Sequence, residues 1–209
     1  MGSWVCGVKK TAYAAEQHRA DVACKRKAWK KRQSKLNAHR LVFLDECGVN
    51  TGMTRLYGRA LKHQRVREAV PDTRFHRTTI LSSVRLDGAM APLVFEGALN
   101  GDTFRVYVTK ILAPSLQPGD IVVMDNLSSH KVSGIVEAIE AVGASVMFLP
   151  PYSPDLNPIE LMWSKIKAIL RKLKVRAKEQ LDDAIAFALN SVSPSDIAGW
   201  FKHDGYYLC

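Results

Sequence analysis

The 209-residue sequence predicts an α/β fold, a mixed five-stranded sheet with helices on both faces. Five short apolar or β-branched runs recur between residues 41 and 149, separated by turn residues such as Gly, Pro, Asp and Asn. Helical patterns follow the third, fourth and fifth runs, which gives the order β-β-β-α-β-α-β-α. The chain is 47% hydrophobic, enough for one sizeable core.

The N-terminal segment 1–40 carries nearly all of the net charge. It contains eleven Lys or Arg against two acids, a charge of +9 out of the total of +10. We expect a basic N-terminal arm or linker over 1–40, with some helix over 21–36 and no core. A globular domain would then span residues 41–209. Such an arm, with Lys30, Lys31 and Arg32, would bind a phosphate backbone through counterion release, although a solvated basic linker or helix is the alternative.

The first half of the domain predicts an antiparallel meander. The continuous apolar run 41–44 is typical of a strand buried on both faces. The Gly- and Arg-rich stretch 51–77 then predicts loops on a basic surface. Residues 78–86 and 92–95 are rich in β-forming residues and are separated by Asp87-Gly88, a strong hairpin signal.

The second half alternates helices with strands. Asn100 or Asp102 can cap a helix that ends before Pro114, and Asn157 with Pro158 begins the helix after a proline-rich turn. The remaining predicted elements are strand 121–124, helix 132–142, strand 145–149, helix 179–192 and helical segment 194–201.

Three acids occupy distinctive positions among these elements. Asp45 and Asp125 each follow an apolar strand run, and Glu160 opens a helix. A carboxylate at the mouth of a buried strand is costly unless it is compensated, and hard ions such as Mg²⁺ prefer carboxylate oxygens. Two such ions about 3.5 to 4 Å apart promote phosphodiester chemistry. The sequence therefore predicts a metal-dependent enzyme that acts on phosphodiesters.

Each acid also has a simpler explanation. Asp45 fits the nucleotide-hydrolysing strand of a P-loop enzyme, but the chain contains no GxxxxGK[ST] motif. Asp125 could belong to a turn, and Glu160 could form a capping box with Asn157. Asp155 competes as third acid, although its proline-rich setting favours a turn. Three acids at the edge of one sheet are nevertheless a combination that independent turns and caps rarely produce.

Several neighbours of the acids are candidate site residues. His130 either orients water or substrate near Asp125 or lies on the surface at a helix entry. Lys167, Arg171 and Lys174 follow Glu160 at close to whole-turn intervals along the predicted helix and therefore share its face. This basic stripe would suit a DNA backbone, or it is a solvated helix face.

The cysteines and the hydropathy indicate the compartment. Four cysteines without a CxxC pair predict neither a zinc site nor a disulfide framework. We interpret Cys47 as a small packed residue and not as a nucleophile. No apolar stretch approaches the roughly 20 residues that a membrane helix needs. We therefore expect an intracellular protein outside the membrane.

Three sequence strings together resemble the DDE transposases of bacterial insertion sequences in the mariner superfamily. They are Phe43-Leu-Asp45-Glu-Cys-Gly48, Val123-Met-Asp125-Asn-Leu-Ser-Ser-His130 and Leu149-Pro-Pro-Tyr-Ser-Pro-Asp-Leu-Asn-Pro-Ile-Glu160. The spacing between the second and third acids, Asp125 and Glu160, matches the one typical of that group. The resemblance covers roughly the range 41–206.

The resemblance implies a ribonuclease H-like fold and a DNA-cutting activity. Asp45, Asp125 and Glu160 would be the catalytic acids and would hold two Mg²⁺ or Mn²⁺ ions, with Asn126 and His130 as motif neighbours. The family implies hydrolytic nicking of double-stranded DNA at transposon ends, strand transfer by the freed 3′-OH, TA target sites and a homodimer. The expected location is the bacterial cytoplasm, in association with the nucleoid.

Two departures from the family bear on activity. Cys47 stands where Ser or Thr is expected. Relatives carry helix-turn-helix domains before the catalytic domain, whereas here the short basic segment 1–40 precedes the first strand, so we expect an N-terminally truncated chain. The alternatives are a non-catalytic or domesticated nucleic-acid-binding remnant, and a free-standing ribonuclease H-like nuclease.

Overall fold

The computed structural model describes residues 14–61, 63–70, 77–88 and 90–207. Residues 1–13, the start of the predicted arm, lie outside this part. Two of the four cysteines, Cys6 and Cys209, and Arg74 of the Arg-rich stretch also lie outside it. The strands form one sheet in the order β3-β2-β1-β4-β5. They are β1 (Leu41–Asn50), β2 (Arg77–Arg85), β3 (Leu93–Glu96), β4 (Ile121–Met124) and β5 (Ser145–Phe148). Because β1, β2 and β3 pair antiparallel whereas β4 and β5 run parallel to β1, the predicted mixed sheet is confirmed.

The helices flank this sheet near their predicted positions. They are α1 (Ala20–Gln33), α2 (Gly101–Tyr107), α3 (Ile135–Glu140), α4 (Pro158–Leu173), α5 (Lys178–Asn190) and α6 (Pro194–His203). A π-helical turn, Val108–Leu112, continues α2. Helix α3 begins later than predicted, because Gly134 before it has a left-handed backbone with φ of 89°. In the part of the chain that the structure describes, no helix has the length and apolar character needed to span a membrane.

Helices cover both faces of the sheet, as predicted. Phe43 of β1 belongs to the core cluster that contains Trp163 of α4 and Phe201 of α6. The next residue, Leu44, belongs to a second cluster with Phe104 of α2. Because successive side chains of a strand point to opposite faces, β1 is buried on both sides.

Strand β1 is longer than predicted. The apolar run suggested an end after residue 44, but pairing with β2 continues to Asn50 opposite Arg77. The pairing with β4, in contrast, ends at Phe43 opposite Val123. Asp45 therefore lies inside a strand, at the point where one neighbouring strand has already ended.

Helix α1 packs against the rest of the molecule. Val22 and Trp29 are buried, and the Trp29 indole N–H donates a hydrogen bond of 3.3 Å to the Tyr206 hydroxyl. The Gln33 side chain donates to the Asp204 carbonyl at 2.6 Å. The prediction that no core begins before residue 41 is therefore wrong for this helix. Its apolar residues are too few to show a helical period, and the Trp29 side chain meets Tyr206 from the C-terminal end of the chain.

Candidate active site

The three predicted acids line one cleft of about 580 Å³. Asp45 comes from β1, Asp125 directly follows β4, and Glu160 lies in the first turn of α4. Phe43 is paired with Val123 in parallel register, so Asp45 and Asp125 stand at equivalent positions just beyond that pair. The register thus places both acids at the same edge of the sheet, where the proline-rich turn before α4 adds Glu160.

The carboxylates of this cleft repel one another when they are ionised. Burial raises the pKa of Asp45 well above its usual range, and the charges of Glu160, Glu46 and Asp125 raise it further. Burial also raises the pKa of Glu160, against the attraction of Lys167 and with the help of Asp125 and Glu46. A cation in the cleft would relieve this repulsion.

His130 lies beneath the cleft in contact with two acids. Its ring is fully buried, with Nδ1 2.8 Å from Asp125 Oδ1 and Nε2 3.3 Å from Glu46 Oε2. The ring also packs against Phe104 with centroids 4.3 Å apart. Burial favours the neutral imidazole, but the two carboxylates outweigh it and raise the pKa of His130 to about 9. The surface position considered from the sequence is therefore wrong.

The protonated His130 keeps Asp125 ionised. Burial by itself would raise the pKa of Asp125, but the contact with His130 and a 2.8 Å hydrogen bond from the Leu127 N–H lower it below its usual value. Asp125 therefore differs from Asp45, whose pKa is raised. The cleft contains one carboxylate that is held charged and two whose ionisation costs free energy.

Glu46 is a site residue that the sequence reasoning missed. It stands next to Asp45 on a strand, so its side chain points to the opposite face, where His130 lies. The Asp45-Glu46 pair was visible in the sequence, and strand alternation could have assigned the second acid to the far side of the sheet. What the sequence lacked was the partner, because strands β2, β3 and β4 all lie between Glu46 and His130 in the chain.

The capping box considered for Glu160 is absent. The Asn157 side chain makes no hydrogen bond that caps α4, and the Asn157 N–H donates to the Pro154 carbonyl at 3.1 Å. The Asn157 amide instead donates to Asp45 Oδ2 at 3.4 Å. The Glu160 carboxylate is therefore not engaged as a cap, and Asn157 joins the site as a contact of the first acid.

The donor atoms of the cleft suit a hard divalent cation. They are carboxylate oxygens, and Asn157 adds a buried amide oxygen, Oδ1, that has no hydrogen-bond partner among the described residues. Within those residues no group of three or more His, Cys, Asp or Glu side chains is arranged to hold a metal ion. The acids thus share a cleft and have the right chemistry, without forming a closed cage.

Two further residues near the acids have structural contacts. The Asn126 side chain donates to the Leu149 carbonyl and links the loop after β4 to the end of β5. Asp155 accepts two hydrogen bonds from Arg26, at 2.9 and 2.7 Å. Asp155 therefore holds the turn before α4, in keeping with the turn reading and not with a third metal-binding acid.

The predicted basic stripe on α4 divides into two parts. Lys167 and Arg171 line a cavity of about 420 Å³ together with the end of β1 from Gly48 onward, close to Asp45 in the chain. Lys174 forms an ion pair with Glu68 at the C-terminal end of the helix. Its charge is therefore already neutralised by the protein.

The basic residues of α1 also differ from one another. Lys30, Lys31 and Arg32 are all exposed. Arg32 and Lys25 line a cavity of about 390 Å³ whose wall includes Pro150 and Pro151, which also line the cleft of the three acids. Lys31 lines neither cavity.

Comparisons with known proteins find a matching family model and similar solved structures. A family model described as DDE superfamily endonuclease matches residues 40–182. A search of curated proteins finds no significant match. Among solved structures, a Mos1 transposase paired-end complex with the left transposon end has a TM-score of 0.70 at 14% identity, over 99% of this chain and 69% of that one.

Two further solved structures extend this likeness. A mariner Mos1 paired-end complex with Mg has a TM-score of 0.72 at 14% identity, over 100% of this chain and 66% of that one. The catalytic domain of Mos1 mariner transposase gives 0.65 at 13% identity, over 95% and 94% of the two chains. This chain thus spans about two thirds of the Mos1 chains in the paired-end complexes. The likeness confirms the ribonuclease H-like fold.

Proposed function

Because the chain belongs to the DDE superfamily of endonucleases, we propose that it is the catalytic domain of a transposase that cuts and joins double-stranded DNA. The observation that carries the proposal is the single cleft shared by Asp45, Asp125 and Glu160. The likeness of the fold to Mos1 transposase supports the reaction class. The acids are the groups that phosphodiester chemistry in such a fold requires.

In this proposal Asp45, Asp125 and Glu160 hold two divalent ions, Mg²⁺ or Mn²⁺. When bound, such ions activate an attacking oxygen and stabilise the leaving oxygen of a phosphodiester. His130 keeps Asp125 ionised and orients its carboxylate through the contact of Nδ1. Glu46 contacts the other ring nitrogen, Nε2, and so fixes the position of the imidazole. The raised pKa values of Asp45 and Glu160 mean that ion binding favours proton release from these groups.

The DNA backbone would run past the acids along two basic surfaces. Lys167 and Arg171 on α4 form one, and Lys25 and Arg32 on α1 form the other. Both cavities lie next to the acids in the fold, and cations there would neutralise phosphates on either side of the cut. Lys174 is less suited to this role because it is paired with Glu68.

The finer features of the proposal come from the sequence resemblance. They are an origin in a bacterial insertion sequence, action at transposon ends with TA targets, a homodimer and a cytoplasmic, nucleoid-associated location. A paired-end complex is known for Mos1 and supports the expectation of transposon-end DNA as partner. Two alternatives stay open, namely a non-catalytic DNA-binding remnant and a free-standing nuclease.

A plasmid assay tests the proposal. The purified protein should nick supercoiled DNA in Mn²⁺, and Asp125→Asn should lower the rate more than about 100-fold, because loss of a metal ligand removes several kcal/mol of transition-state stabilisation. Asp183→Asn, an exposed acid on α5, is the matched control and should nick like the original protein. Full nicking by the Asp125 variant would refute the assignment.

The same assay separates the alternatives. A nuclease without transposase activity would nick the plasmid but give no joined product with an added 3′-OH oligonucleotide. A remnant would bind DNA in a gel-shift experiment and leave it uncut.

A further inference from the structure

One aromatic side chain stands in the wall of the catalytic cleft. Of the described residues that line the cleft, Tyr152 is the only aromatic one, and it is 46% exposed. Its neighbours in the wall include Pro150, Pro151 and Pro154, which make this side of the cleft largely apolar. The acids stand in the same cleft. An exposed aromatic ring next to a cluster of carboxylates has no role in the core of the protein.

The backbone at Tyr152 adopts a conformation that tyrosine rarely takes. Its φ is 54°, in the left-handed region, where a glycine would fit without steric cost. Such backbone persists where the surroundings hold it, and it concentrates at functional sites. The turn geometry alone therefore does not account for an aromatic side chain here.

Helix α1 and its approach hold the turn in this conformation. The Gln17 side chain donates a 2.7 Å hydrogen bond to the Tyr152 carbonyl. Arg26 donates to Ser153 Oγ at 2.7 Å and to both carboxylate oxygens of Asp155. The turn is thus held at the Tyr152 carbonyl and at the residues that follow it.

The size of the cleft limits which part of a DNA molecule can enter it. A space of about 580 Å³ does not admit a B-form duplex, whose major groove alone is about 12 Å wide. A paired duplex can therefore offer only the backbone of one strand to the acids, whereas an unpaired strand can also place a base inside the cleft. Aromatic side chains bind unpaired bases by stacking, with little regard to sequence.

We propose that Tyr152 forms a stacking subsite for an unpaired nucleobase next to the phosphodiester that is cut. The inference rests on the proposed function and names the state of the DNA that the cleft accepts. The cavity beyond Pro150 and Pro151, with Lys25 and Arg32, supplies cations for the phosphates of the same strand.

A fluorescent base analogue tests the subsite. The probe is a DNA hairpin with a short unpaired overhang that contains 2-aminopurine, whose emission falls when the base stacks. Binding is measured with the full chain in Ca²⁺, a hard oxygen-binding ion with flexible coordination. The original protein should quench the emission, and Tyr152→Ala should abolish quenching and weaken overhang binding about 5- to 150-fold, the range expected for loss of one stacked base.

Three variants distinguish the loss of the aromatic ring from an effect on folding. Tyr152→Phe keeps the ring and should quench normally. Tyr152→Gly removes the ring and relieves the backbone, so it should lose quenching while it unfolds at a temperature no lower than the original protein. Tyr207→Ala, an exposed tyrosine outside the catalytic cleft, should leave quenching unchanged.

The outcomes distinguish the subsite from the proposed function. Equal quenching by the original protein and Tyr152→Ala overturns the subsite. Plasmid nicking in Mn²⁺ without quenching also overturns the subsite and leaves the proposed function in place. Absence of both nicking and DNA binding by the original protein refutes the proposed function and, with it, the subsite.

Discussion

Replacement of Arg26 by Met should loosen the turn that leads into α4. Arg26 is nearly buried, with 12% of its side chain exposed, and it bonds to Ser153 and Asp155. Met keeps the aliphatic bulk and removes the guanidinium. The change therefore tests the polar contacts between α1 and the turn with little loss of packing.

The structure sets the expected magnitude. The ion pair with Asp155 contributes about 1 kcal/mol, because 48% of the Asp155 side chain is exposed and solvent screens the pair. The charged hydrogen bond to Ser153 adds about 1.5 kcal/mol. A total of about 2.5 kcal/mol corresponds to a fall in Tm of roughly 5 to 10 °C for a protein of this size.

Activity should fall more steeply than stability. The turn connects to Asn157 and Glu160, and a shift of about 1 Å in a catalytic group can cost about 100-fold in rate. Thermal unfolding and plasmid nicking in Mn²⁺, measured well below the Tm of the variant, separate the two effects. Arg26→Lys should recover part of both, since it keeps the charge but loses the two-pronged geometry.

The matched control for Arg26 is Lys27→Met on the exposed face of the same helix. It should change neither Tm nor nicking. If Arg26→Met melts within about 1 °C of the original protein and nicks at the same rate, α1 does not position the turn and the reasoning is refuted.

Three further predictions concern metal, pH and salt. Mn²⁺ at about 100 times its Kd should stabilise the protein by about 2.7 kcal/mol, and calorimetry should show no such gain for Asp45→Asn. Burial raises the pKa of Asp204, so its contribution to stability is present at low pH and is lost as pH rises above the usual aspartate range. The Tm of Asp204→Asn relative to the original protein should therefore be higher at neutral pH than near pH 4, and a constant difference would contradict this. Arg32→Ala should lower the magnitude of the slope of log K against log salt for DNA binding by about 1. Lys31→Ala should change this slope less, because Lys31 lines neither the cleft of the three acids nor the neighbouring cavity that Arg32 lines. Equal slopes would remove the distinction between the two residues.

Much of the fold was predictable because local patterns and tertiary structure agree. The apolar runs that end near Asp45 and Asp125 became neighbouring parallel strands, and Asn100 and Asn157 stand at the N-terminal ends of α2 and α4 as predicted. The end of β1 was not predictable from its apolar run. Its final part, 45–50, is held by pairing with β2, and the long Gly- and Arg-rich stretch separates the two strands in the chain.

The site was predictable in part. The sequence strings around Asp45, Asp125 and Glu160 singled out these acids as candidates, and the fold brings all three to one cleft. The role of His130 was hidden, because its burial against Phe104 and its contact with Glu46 join elements that are distant in the chain. Lys174 fits the helix period of the basic stripe, but the loop residue Glu68 pairs with it.

The sequence by itself determined the fold class and the DDE superfamily, and it singled out the three acids as candidates. Hydrophobic periodicity and short strings of residues carry this information, and both are local properties of the chain. The tertiary structure alone decided the electrical state of the acids, the packing of α1 and the exposure of Tyr152 in the cleft. These depend on which groups meet across the fold, since the charges and contacts that act on Asp45, Arg26 and Tyr152 come largely from residues far away in sequence.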